Sequence, residues 1–114
     1  MTIPSTVRRA LRERSDGACE MCGLAYPTNA HHRKNLSQGG EDVLSNLLHL
    51  CGSGTTGCHG WVTEHPAISY IKGWSVRRGV DPASMPVWYR GSRVKLDDLG
   101  NLEDAPVVPA SETA

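Results

Sequence analysis

Four cysteines stand at positions 19, 22, 51 and 58 of this 114-residue chain. Cys19-Glu20-Met21-Cys22 separates two thiols by a tight turn, which lets both sulfurs approach one zinc ion at about 2.3 Å. Cys51 and Cys58 offer a second half-site, with six residues between them instead of the usual two. Four thiolates close a tetrahedral structural site. His31-His32, Asn46 and His59 are interleaved with these cysteines, and a closed site has no use for them. A second ion site beside the first would use them. Other readings of the same residues are two disulfides, a Cys51 that stays free, and two solvated histidines on a loop. The N-terminal stretch MTIPSTVRRALRERSDGAC has no apolar run of signal-peptide length, so a cytoplasmic protein with reduced thiols is expected.

Two adjacent histidines in a strand point to opposite faces and rarely share an ion. The order Cys19-x2-Cys22, His31-His32, Asn46, Cys58-His59 resembles the HNH endonuclease family, whose ββα-metal core cuts phosphodiester bonds. The resemblance spans about residues 19–79. It implies a small α+β fold with a zinc-stabilised, treble-clef-like ββα-metal core, to which the flanking sequence adds an N-terminal helix and a C-terminal β-hairpin. It also implies roles. Cys19, Cys22, Cys51 and Cys58 would hold structural Zn2+. His31 and His59 would bind a catalytic Mg2+ or Mn2+, and imidazoles would also accept Ni2+, Co2+ or Zn2+. His32 would be the general base, and Asn46 would support its strand. The third ligand of the catalytic ion stays open among Thr63, His65 and water. The six-residue gap between Cys51 and Cys58 departs from the common family pattern.

The implied reaction is metal-dependent hydrolysis of double-stranded DNA. Residues 50–62 look like small HNH proteins of tailed bacteriophages, which often work with the terminase that packages DNA. Terminase subunits are therefore an implied partner. The alternative is a non-catalytic zinc module that binds nucleic acid or protein. It explains the cysteines and leaves His31, His32, Asn46 and His59 without work.

Placing these residues takes several short elements. Pro4-Ser5-Thr6 reads as a helix start with Ser5 or Thr6 as N-cap. Val7, Ala10, Leu11 and Arg14 follow at helical spacing, Arg8, Arg9 and Arg12 fall on the outer face, and Gly17 is the stop. Residues 29–34 and 47–50 read as strands around a loop at 36–42. Residues 52–57, with three glycines, must form a loop. A helix is predicted over about 58–64, and a second from Pro66 to Gly73. Leu24, Ile68, Ile71, Trp74 and Val76 are the expected core. Residues 87–96 read as a hairpin turning at Gly91-Ser92. The expected organisation is a nuclease domain over 1–80, a hairpin extension over 81–102 and a disordered acidic tail over 103–114.

Charge adds little by itself. The net formal charge is zero, with nine basic and six acidic residues over 1–80 and three and six over 81–114. The basic half suits a polyanion, so Arg8, Arg9, Arg12, Arg33 and Lys34 are candidate phosphate contacts. No apolar run reaches roughly eighteen residues, which speaks against a membrane span.

Overall fold

The computed structural model describes residues 2–107. Its first helix, α1, spans Ser5–Ser15. Pro4 precedes it, Ser5 is already helical, and no side chain caps its start, which corrects the N-cap expected at Ser5 or Thr6. Asp16 ends the helix in the left-handed region at φ 47, one residue before Gly17.

Strands β1 (Asn29–His32) and β2 (Leu47–Leu50) pair antiparallel, with His31 opposite Leu48 and His32 opposite Leu47. Helices α2 (Gly57–Glu64) and α3 (Pro66–Lys72) follow. Pro66 opens α3, and Gly73 closes it at φ 77. A second sheet is a meander of β3 (Val87–Tyr89), β4 (Ser92–Leu96) and β5 (Leu102–Asp104). The described residues thus make a small α+β fold of three α-helices and two antiparallel sheets. None of these helices is long and apolar enough to cross a membrane.

The alternation of β2 splits the core in two. Leu48 and Leu50 pack with Cys19, Cys51, Val62, Val87, Tyr89, Val94 and Leu96. Leu47 faces the other way and packs with Ile3, Leu11 and Leu44 under α1. The expected core needs correction. Trp74 and Val76 pack inward, but Leu24 is 92 % and Ile71 77 % exposed, and Ile68 is exposed too. The two-turn α3 presents Ser69 inward instead, where its hydroxyl donates to the carbonyls of Val62 and His65.

The hairpin turn also sits one residue earlier than expected. Arg90 (φ 49) and Gly91 (φ 85) form it, and Ser92 is already in β4. Two left-handed residues match the twist of the flanking strands. Residues 103 and 104, expected in a disordered tail, belong to β5. There Glu103 pairs with Lys95, and Ala105 N–H donates to the Arg93 carbonyl at 2.9 Å. Acidic composition does not prevent edge pairing, because the side chains of β5 stay in solvent. Residues 108–114 of that expected tail lie outside the described residues.

Candidate functional site

The four cysteine sulfurs converge, all within 4.8 Å of one another, and none is in a disulfide. A tetrahedral zinc with bonds of about 2.3 Å needs sulfurs about 3.8 Å apart, so a slight contraction suffices. Backbone N–H groups already point at the sulfurs. Met21 and Cys51 donate to Cys19 Sγ at 3.4 Å, Leu24 donates to Cys22 Sγ at 3.5 Å, and Cys58 to Cys51 Sγ at 3.5 Å. Donors aimed this way favour thiolates. Burial opposes ionisation of Cys22, but N–H groups of Ala25 and Leu24 and the neighbouring thiols outweigh it, and its pKa falls to about 7. Burial pushes the Cys58 thiol up, and adjacent sulfurs add to the rise. Four closely set sulfurs with mutually opposed ionisation form a set that a dication can hold together.

The six-residue gap between Cys51 and Cys58 is closed by a doubled-back loop. Ser53 N–H donates to the Thr56 carbonyl at 3.0 Å, and His59 N–H to the Cys51 carbonyl at 3.1 Å. A Cβ on Gly52 would lie 2.0 Å from Thr56 O, and one on Gly57 2.6 Å from Gly52 Cα. Both glycines also have positive φ. The extra residues loop out, and the two sulfurs meet as they would across a shorter gap.

His59 follows Cys58 in the first turn of α2 and turns to β1. Its ring lies 5.3 Å from that of His31, edge to face. His59 Nδ1 is the single buried side-chain N or O without a hydrogen-bond partner among the described residues. His31 Nε2 donates to the Trp74 carbonyl at 2.8 Å, since a carbonyl can only accept, and its Nδ1 keeps a lone pair. Burial pushes the His31 pKa down to about 4, with the charges of His59, His32 and Arg33 adding to the effect. Burial lowers that of His59 as well. Two neutral imidazoles with available lone pairs fit a divalent ion as a two-ligand start. Among the described residues no third His, Cys or carboxylate joins them. Thr63 lines the adjacent cleft with His31, while its hydroxyl donates to the His59 carbonyl. His65 stacks on Trp61 at 4.1 Å and bonds the Trp61 carbonyl, as the residue between α2 and α3.

His32 occupies the other face of β1. Its Nε2 lies 2.7 Å from Asp42 Oδ1. A carboxylate only accepts, so Nε2 carries the proton and Nδ1 is free to take another. Asp42 is a candidate site residue that sequence reasoning missed, because it lies ten positions from His32 in the chain. Buried Asn46 anchors that loop. Its Oδ1 accepts from Lys34 N–H, and its amide donates to the carbonyls of Lys34 and Glu41. His49, on β2, bonds the Ser15 hydroxyl at 2.7 Å.

Two candidate phosphate contacts are corrected. Arg33 is 2 % exposed and donates to the carbonyls of Gly73, Ser45, Pro82 and Met85, so it ties loops together and cannot reach DNA. Lys34 is buried and lines a cleft with Glu41, Asp81 and Asp98, which repels phosphate. Arg8, Arg9 and Arg12 are exposed, without a carboxylate partner among the described residues. Support for the cysteine turn comes from Glu20, which lies between Cys19 and Cys22. It pairs with Arg14 at 2.8 Å and accepts from Tyr89 at 2.6 Å and from His49 N–H at 2.8 Å. No family model, curated protein or solved structure matches the chain.

Proposed function

We propose that this protein is a zinc-stabilised, metal-dependent DNA endonuclease of the HNH type. The observation that carries the reading is the Cys58-His59 pair at the start of α2. Cys58 enters the sulfur tetrad while His59 meets His31 with a buried, partnerless Nδ1. The chain order β1, β2, α2 agrees with a ββα-metal core. Cys19, Cys22, Cys51 and Cys58 would hold structural zinc, and His31 and His59 a divalent ion. That ion would polarise a phosphoryl oxygen of the scissile phosphodiester.

The remaining chemistry belongs to the chain. His32 accepts a proton at Nδ1 from the attacking water. Asp42 fixes the ring and its tautomer through Nε2. β1 pairs with β2 alone, so its second edge carries no strand among the described residues. A phosphodiester at that edge would have the ion of His31 and His59 on one side and His32 on the other. In-line attack would expel the 3′ oxygen, which takes a proton from solvent water, and leave 5′-phosphate and 3′-hydroxyl ends.

The test is nicking of supercoiled plasmid by zinc-loaded protein with added Mg2+, Mn2+, Ni2+, Co2+ or Zn2+. Cleavage is expected in wild type and absent in His59→Ala at low metal. No cleavage with any ion would remove the proposal. A second reading, a zinc module that binds nucleic acid without cutting it, is favoured by the lack of a third His, Cys or carboxylate at His31 and His59 among the described residues. Plasmid binding without cleavage would establish it.

A further inference from the structure

Two clefts run together between α1 and β1. Both are lined by Arg8, Thr28 and Ala30. One, of about 410 Å³, reaches His32. The other, of about 180 Å³, reaches Arg12 and His49. No acidic residue lines either cleft. Of the carboxylates beside cleft-lining residues, Asp42 is held by His32, and Glu20, which accepts from His49 N–H, is paired with Arg14.

Arg8 and Arg12 are four residues apart on one helix, so they stand on the same face, about 6 Å apart along the axis. That spacing is of the same order as that of neighbouring phosphates on a nucleic-acid strand. Arg9, on the same helix and equally exposed, lines neither cleft.

We infer that the α1–β1 groove carries the backbone of one DNA strand, with successive phosphates on Arg8 and Arg12, and leads the next phosphodiester to His32. The inference rests on the proposed nuclease reading and extends it by assigning the track along which the substrate arrives. Phosphate contacts of this kind fix register without reading sequence.

The test is fluorescence anisotropy of a short fluorescein-labelled DNA duplex with zinc-loaded protein and no added divalent ion, at salt from about 50 to 200 mM. Arg8→Ala with Arg12→Ala is expected to weaken binding about tenfold and to lower the salt slope by about 2, one per lost phosphate contact. Arg9→Ala should leave both unchanged. Arg8→Lys with Arg12→Lys should retain the slope, which separates lost charge from lost fold. Wild-type binding by the double alanine variant, or an equal loss in Arg9→Ala, would overturn the groove. Arginine-dependent binding by a protein that cuts no plasmid upholds the groove and sinks the nuclease reading. Cleavage at wild-type KM by the double alanine variant does the reverse.

Discussion

His31 and His32 are neighbours in β1 whose imidazoles work on opposite sides of the hairpin, one on the Trp74 carbonyl at 2.8 Å and the other on Asp42 at 2.7 Å. The two-residue period of a strand imposes this separation. It also divides their expected roles cleanly. His31→Ala should raise the metal concentration needed for cleavage. His32→Ala should leave the metal requirement unchanged and cut the rate by roughly 10²–10⁴-fold, the scale of a general base. Asp42→Asn should lower the rate by a smaller factor with DNA affinity intact, since the amide can present the wrong group to Nε2. Rates measured across a metal titration decide the matter. A His32→Ala variant with wild-type turnover would remove His32 from the proposed mechanism.

The sulfur tetrad makes a stability claim. Structural zinc in small peptides contributes apparent energies of about 10–16 kcal/mol near neutral pH. Whole domains are stable by only about 5–15 kcal/mol. Cys22→Ala, or a strong chelator on wild type, should therefore abolish the cooperative thermal transition. Metal analysis should give one tightly held zinc per chain before any second ion is added. A zinc-free protein that melts normally would refute the assignment.

Local signals carried much of this fold. Pro66 and Gly73 bracket α3 by backbone preference alone, and the run Leu47–Leu50 is a strand from end to end. What escaped depends on distant partners. Arg33 and Arg8 are the same residue type in sequence. Arg33 is buried because carbonyls some 40 to 52 residues away, from Gly73 to Met85, surround it. Glu20 looks like filler in a knuckle until Tyr89, 69 residues on, is brought against it. Ile68 and Ile71 show the opposite failure: apolar residues whose short helix turns them outward. The convergence of the four cysteines was legible because Cys19-x2-Cys22 and the Cys51–Cys58 pair keep a half-site spacing that survives the loop between them. Asp42 keeps none.

The loop between Cys51 and Cys58 gives a sharper test of that geometry. Gly57 sits at φ 63 with Gly52 Cα 2.6 Å from where a Cβ would be. A non-glycine residue in the left-handed region costs about 1–3 kcal/mol before any clash is counted. Gly57→Ala should therefore release zinc to a chromophoric chelator at lower chelator concentration than wild type. Gly54 has no neighbouring atom within 4 Å of an added Cβ, so Gly54→Ala should behave as wild type. Equal zinc retention by both variants would mean that the doubled-back loop does not hold the second half-site.

Tyr89 supplies a pH dependence that does not involve the metal ligands. Burial, reinforced by the charge and hydrogen bond of Glu20, raises its phenol pKa well above the ordinary value of 10. Below pH 10 the phenol is protonated in both folded and unfolded chains, and the Tyr89–Glu20 bond contributes in full. Above it the unfolded chain releases the proton and the folded one does not, so stability falls as pH rises. Hydrogen bonds to charged groups contribute about 1.5–3 kcal/mol. Tyr89→Phe should be less stable than wild type by an amount of this order near pH 8. The difference should shrink steadily above pH 10, because the phenylalanine variant has no proton to hold. Urea midpoints of both proteins between pH 8 and 11 measure it. A gap that stays constant across that range would show that the Glu20 contact does not hold the Tyr89 proton.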